Sequence, residues 1–401
     1  MNDYDPVPAD VRGAYNKFVE AAQAKGFKVG HAFLHTKDVL KEGDDVKVEL
    51  ASLGTAESQR MIKYIGSKRK LLPQVEAAIK HCAPPGASVV DLFSGAGHVS
   101  KHLRGCGYTV TSNDMNYYAY CIANAYLSFF PLEATKYMQA TINRLNRIKP
   151  GYSGYFTRTF CEDAMFFQPK NGQKVDAIRD EIEKLRKYDL YYSAYLVSLM
   201  EAADRVDNTT GVQMAYLKHW CKRAHNDLEL RLLDFPVGPV GEAVLGKAED
   251  FFSKSYKEYD VVYMDPPYNQ HNYRGNYHIW ETLCRWDAPE PYGKAQKRID
   301  VKDKSCKSNF NFKKKAHEAM LNVIQSVRAK HIVVSFNNEG YISRDEMVEM
   351  LQKRGKVEVS THDYDRYVGA KIGIHNLDGN KVGSVSHVKN KEYIFICEVT
   401  N

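Results

Sequence analysis

Residues 87–114, ASVVDLFSGAGHVSKHLRGCGYTVTSND, constrain the fold more than any other stretch of the chain. The valines open a short buried strand that runs into a glycine turn. HVSKHLRGCG then reads as a helix stopped by Gly105 and Gly107, and YTVTSND as a second strand. The strand signature returns in YDVVYMDPPY (259–268), KHIVVSFNNEG (330–340), KVEVSTHDY (356–364) and EYIFICEV (392–399). Helical patterns separate most of these strands. That alternation predicts a doubly wound, Rossmann-like α/β sheet, mostly parallel, with helices on both faces. Little chain joins the last two strands, so the last one is expected to run antiparallel.

The alternation breaks between 125 and 242. That stretch is helix-rich, aromatic and laced with Lys and Arg, and it is far longer than an ordinary connection. It reads as a domain inserted into a core made of 61–124 and 243–401. Residues 1–60 form a leader of unassigned role, with a helical pattern in VRGAYNKFVEAAQAKG. No apolar run approaches a membrane span, and the acidic, proline-bearing start is not a secretory signal. A soluble intracellular protein is the expectation.

Eight cysteines are scattered without a C-x-x-C pair, so neither a zinc ribbon nor a disulfide framework is indicated. His31 with His35, and His98 with His102, have a one-turn spacing that suits a metal. Neither pair has an evident third ligand, and both read as ordinary helix histidines, so no metal is assigned. A net charge of +7 permits an acidic polymer as partner without requiring one.

The turn Asp91-Leu92-Phe93-Ser94-Gly95-Ala96-Gly97 lets backbone approach a ligand closely at a helix start. Asp114 ends the next strand, where a carboxylate can accept both hydroxyls of a ribose. The spacing Gly95-x-Gly97-x-x-Ser100 also nearly satisfies a dinucleotide fingerprint, which keeps NAD open at this point. Two acids facing the turn would repel a pyrophosphate. They suit a cofactor with a cationic end, such as S-adenosylmethionine.

Asp265-Pro266-Pro267-Tyr268 follows an apolar strand. The prolines have fixed φ and no N–H, so the segment is stiff and its carbonyls point outward. With the Asp265 carboxylate they make two rigid acceptors at one spot, matched to an exocyclic amine. Tyr268 adds a flat face for stacking on a base. Such an amine is a poor nucleophile because its lone pair is delocalised into the ring. Accepting both its hydrogens bends it toward tetrahedral geometry and frees the lone pair.

These motifs, in this order, resemble the Dam-like, D12 class of adenine-specific N6 DNA methyltransferases, of the kind found in restriction-modification systems. KYIGSKRKLLP (63–73) is similar to the family's first motif, DLFSGAG to its cofactor loop, SND to its ribose-binding acid, and DPPYNQHNYRGNYHIWETL to its catalytic motif. VVSFNNEG and DYDRYVG resemble later segments. Within the insertion, FCEDAMFFQPKNGQKVDAIRDEIE and VDNTTGVQMAYLKHW resemble segments of restriction-linked members. The resemblance spans nearly all of 61–400.

It implies methyl transfer from S-adenosyl-L-methionine to the N6 amine of an adenine flipped out of double-stranded DNA. Tyr64 and Lys68, with Gly66 in the same motif, would meet the methionine end of the cofactor. Asp91, Phe93, Ser94, Gly95 and Gly97 would line its middle, Asp114 its ribose, Asp250 and Phe251 its adenine. Asp265, Pro266, Pro267 and Tyr268 would hold the target base. The resemblance also implies a cytoplasmic, nucleoid-associated monomer of bacterial or phage origin, a companion endonuclease, and the insertion as target-recognition domain. His271 stands where relatives often carry arginine, which puts a phosphate or base contact there in doubt. Lys218, Lys222, Arg223 and Lys313–Lys315 are candidates for phosphate contacts. Competing readings are an RNA base-amine methyltransferase, a catalytically silent DNA-binding module and a nicotinamide dehydrogenase. The last leaves Asp-Pro-Pro-Tyr unexplained.

Overall fold

The computed structural model describes residues 61–128, 132–187, 189–254, 256–365, 374–375, 381–383 and 389–400. The leader, with His31 and His35, and the end of the DYDRYVG segment lie outside the described residues. Seven strands form one sheet: β1 (Ser88–Asp91), β2 (Thr109–Asp114), β3 (Glu242–Leu245), β4 (Tyr259–Met264), β5 (Ala329–Asn337), β6 (Gly355–Asp365) and β7 (Lys389–Val399). Their spatial order is β3-β2-β1-β4-β5-β7-β6. The first five are parallel neighbours, and β7 runs antiparallel between β5 and β6. The expected sheet is therefore the observed one. β3 went unforeseen in the sequence because it is a four-residue edge strand with no fully buried residue.

Successive strand residues serve opposite faces, and both faces are covered, which is why the strands read as unbroken apolar runs. Val89, Val110, Val261, Val333 and Ile394 pack under α1 (Leu72–Cys82) and α2 (His98–Gly105). Val90, Val262, Ile332, Val334 and Phe395 belong to the opposite core, with side chains of the short helix at Ala248–Phe251 and of the helices Lys313–Ser326 and Arg344–Gln352. The last of these starts with a capping box between Ser343 and Glu346.

A third core joins α3 (Tyr117–Leu127) to the helices between β2 and β3: α4 (Leu132–Asn146), α5 (Pro169–Leu185) and α6 (Tyr192–Val206). Tyr277, Ile279, Trp280 and Leu283, around and within α7 (His278–Arg285), share this core. The helix that follows the Asp-Pro-Pro-Tyr corner thus packs on the interrupting segment.

Arg179 of α5 fixes that junction. It is fully buried. Its Nε donates to the Leu283 carbonyl at 2.8 Å and its Nη2 to the Cys284 carbonyl at 3.2 Å, capping the last turn of α7. Nη1 meets Glu183 at 2.7 Å and Nη2 the Tyr192 hydroxyl at 2.9 Å. Arg179→Met removes these donors and strands two carbonyls. We expect a loss of about 3–5 kcal/mol, read as a lower midpoint of urea unfolding.

Candidate active site

The carboxyl ends of β1, β2 and β4 open on one cleft. Such edges of an open α/β sheet are where ligands bind. Tyr64, Gly66, Lys68, Asp91, Phe93, Ser94, Gly95, Asp114, Asp265, Pro266, Pro267 and Tyr268 all line it. Three predicted residues do not. Gly97 (φ +74°) starts α2, with Ile122 packed where a Cβ would point, so its part is in the turn rather than at the surface. Asp250 is exposed, 4.0 Å from Lys254, and Phe251 is buried against Phe252 and Tyr259. The four-residue helix Ala248–Phe251 instead presents Ala248 and Glu249 to the cleft, beside Lys247. The residues that line the cleft here precede the expected pair by about half a turn.

The glycine turn is drawn tight by Asp114. Its Oδ2 accepts the Gly95 N–H at 2.9 Å, and its Oδ1 accepts the Asn116 N–H at 2.8 Å and the Asn116 amide at 3.0 Å. Gly95 adopts φ +51°, and a Cβ there would lie 3.0 Å from the Tyr64 ring. Burial raises the Asp114 carboxyl above its ordinary range, against those hydrogen bonds. Asp91 accepts the Ser100 hydroxyl at 2.6 Å. Burial pushes its carboxyl up to about 7; Ser100 opposes the rise, and the nearby charges of Asp265 and Asp114 add to it. A buried acid whose charge is destabilised by two part-buried neighbours is matched to a cation.

Tyr64 stands over the turn in a ring stack, 4.6 Å from Tyr277 and 5.2 Å from Tyr273. Its hydroxyl lies 3.2 Å from that of Tyr118. Phe93 meets Phe310 edge-on at 5.1 Å.

Asp265 stands at the end of β4. Its Oδ1 is 3.0 Å from Lys68 Nζ, which also reaches Glu392 Oε1 at 2.7 Å. Burial holds the Asp265 carboxyl up at about 6; Lys68 lowers it and Glu392 raises it. Lys68, expected at the cofactor's methionine end, thus places its ammonium at the acid of the corner. Tyr268 packs edge-on against Phe336, and its carbonyl accepts the Tyr341 N–H at 3.1 Å. Asn311 donates to the carbonyls of Asn269 at 3.0 Å and His271 at 2.8 Å, which fixes the segment beyond the corner. Sequence reasoning missed Glu392, Asn311 and the Tyr273–Tyr277 stack.

The His98–His102 pair diverges. His98 lines the cleft, whereas His102 pairs with Glu76 at 2.8 Å. Among the proposed phosphate contacts, Lys218, Lys222 and Lys313–Lys315 are exposed. Arg223 is held by Asp207 at 2.8 Å and so has a structural task.

The model of the D12 class N6 adenine-specific DNA methyltransferases matches residues 64–350, most of the described chain. This chain belongs to that family. It is 33% identical over 331 residues to the modification methylase StsI of Streptococcus sanguinis, covering 78% of this chain and 50% of the relative. It is 32% identical over 375 residues to the type II methyltransferase M.FokI of Planomicrobium okeanokoites, covering 83% and 56%. With the type II methyltransferase M.NlaIII of Neisseria lactamica it shares 30% identity over 83% of this chain and the whole of that one. The chain spans about half the length of StsI and M.FokI. Among solved structures, TehB of Haemophilus influenzae aligns over 82% of this chain and 62% of its own, at 10% identity and a TM-score of 0.31. That likeness is too low to carry function. Among the described residues no helix is long and apolar enough to cross a membrane.

Proposed function

We propose that this chain transfers a methyl group from S-adenosylmethionine to the N6 amine of an adenine flipped out of a specific double-stranded DNA sequence. One observation carries the reading: the Asp-Pro-Pro-Tyr corner and the glycine turn with its acids Asp91 and Asp114 line the same cleft.

The cleft fits the cofactor. Asp114 has the place for the ribose hydroxyls, Tyr64 and Phe93 offer apolar faces, and the acids suit the cationic methionine end. Lys247, Ala248 and Glu249 line the side where its adenine would lie. When bound, S-adenosylmethionine supplies a methyl group on a sulfonium, an electrophile that needs no activating acid. Asp265 accepts one hydrogen of the target amine and the neighbouring proline carbonyl accepts the other. The nitrogen then turns its lone pair out of conjugation. Tyr268 supports the base face. Asp265 also stabilises the charge that develops on nitrogen and accepts the proton that leaves. Holding both reactants in line is worth up to roughly 7–11 kcal/mol in the best intramolecular models.

Only the ionised Asp265 balances the charge developing on nitrogen and takes up the proton that leaves. Because its carboxyl is held up at about 6, activity should fall as pH drops through about 6, rather than near the ordinary aspartate value of about 4. The acid limb of kcat/KM measures this. Gly95→Ala adds a methyl 3.0 Å from the Tyr64 ring at a left-handed position. It should weaken cofactor binding about 5- to 30-fold by calorimetry, from about 1–2 kcal/mol of backbone strain.

The segment 125–242 would serve as target-recognition domain, and exposed lysines would offset the cost of flipping through phosphate contacts. The chain would act as a monomer beside a companion endonuclease, on the nucleoid. Modification-sensitive sequencing of DNA from cells expressing it should reveal methylated adenines in one short sequence context. Random or absent modification would overturn the reading. Competition between equal DNA and RNA substrates separates it from an RNA base-amine methyltransferase.

A further inference from the structure

Glu392 occupies a position that the strand pattern reserves for an apolar residue. It alternates in phase with Ile394 and Ile396 on β7, and it is only 3% exposed. A carboxylate so far from water must be compensated. Its Oε1 accepts the Lys68 ammonium at 2.7 Å and the Ser335 hydroxyl at 2.7 Å. Lys68 is itself buried, at 7% exposure, and reaches Asp265 at 3.0 Å. One ammonium therefore bridges two carboxylates, from the ends of β4 and β7, and the three groups carry a formal charge of −1.

A lysine paired with Asp265 alone would compete with the incoming amine for the acceptor oxygens. Leaving Asp265 would strand a buried cation, so release would be costly. Glu392 removes that penalty, because Lys68 keeps an anionic partner when the Asp265 oxygens turn to the base. Neither Glu392 nor Ser335 lines the cleft, so Glu392 acts on transfer through its hold on Lys68 and through its charge near Asp265.

We propose that Glu392 is a positioning residue for methyl transfer: it anchors the Lys68 ammonium beside Asp265 and so leaves that carboxylate free to engage the target amine. This rests on the reading of Asp265 as amine acceptor. Other groups face the same space. Asp91 at the end of β1 and Tyr263 on β4 interact with the Asp265 charge, as does Tyr273 of the cleft, and the Tyr268 ring lies 5.9 Å from Lys68 Nζ. Glu392 stands in register with Asn337 of β5 and His362 of β6, whose Nε2 lies 3.0 Å from Ser360 Oγ. Among these groups Lys68 is the permanent cation.

The test is the acid limb of kcat/KM in three proteins. Glu392→Gln removes a carboxylate that raises Asp265 and gives Lys68 wholly to it, so the limb should move down by about one pH unit. In the same variant kcat should fall about tenfold while KM for the cofactor holds. Lys68→Met removes the charge that lowers Asp265, so the limb should rise by about one unit or more. Glu392→Asp should recover part of the wild-type profile. A limb that stays in place in both variants while the rate falls would mean a merely structural role and overturn the proposal. Where Glu392→Gln does not fold, Lys68→Met alone decides: an unmoved or lowered limb refutes it. The shifts are read on whichever base carries the label. A failure of the adenine reading is therefore seen separately, in the identity of the methylated base.

Discussion

Asp265→Ala is expected to slow methyl transfer by about 10³-fold or more while leaving S-adenosylmethionine affinity within about threefold. The variant removes the charged acceptor from the corner and leaves one proline carbonyl, which cannot pyramidalise the amine alone. It should not unfold the protein, because Lys68 retains Glu392 at 2.7 Å. Asp265→Asn sharpens the test. Its amide has the same size but presents N–H donors as well as a carbonyl, and it carries no charge to balance the one developing on nitrogen. A loss of about 10²-fold is expected there. Single-turnover transfer of labelled methyl, with cofactor titration by calorimetry, reads both quantities. Near-normal transfer by the alanine variant would sink the mechanism.

Asp114→Ala should produce the converse pattern. Its carboxylate takes hydrogen bonds from Gly95 and Asn116, which shape the turn, and its place at the end of β2 suits a ribose. Removing it takes away charged acceptors worth about 1.5–3 kcal/mol each and loosens the turn. We expect cofactor affinity to fall about 10²-fold or more, with the rate at saturating cofactor reduced less than tenfold. Unchanged affinity would place the cofactor elsewhere. The two variants together separate cofactor binding from amine activation, because one lowers the rate and the other the affinity.

The parts of the site that the sequence disclosed are those made by single contiguous segments. The glycine turn and Asp-Pro-Pro-Tyr declare themselves by local backbone chemistry, and strand periodicity puts both at carboxyl ends. Asp250 and Phe251, expected at the cofactor, do not line the cleft, and a four-residue helix has too little periodicity for sequence to fix its facing. Glu392 is harder still. It meets Lys68 across 324 positions, through a strand that enters the sheet late and antiparallel. One local signal existed: a charge in phase with Ile394 and Ile396, where a solvated strand face would not carry isoleucines. Asn311 gave no such sign, since loop asparagines are common and its partners are backbone carbonyls. Arg179 reads as an ordinary helix-surface residue until α7 is seen to end on it.

The account's central claim is that the corner at Asp265 grips the exocyclic amine of adenine. Its most direct test is the nucleoside composition of duplex DNA incubated with this chain and methyl-labelled S-adenosylmethionine, digested and resolved by mass spectrometry. The account predicts label in N6-methyladenine from the unaltered chain and none above background from Asp265→Ala. Label on a cytosine, or N6-methyladenine formed equally well by both proteins, would contradict it.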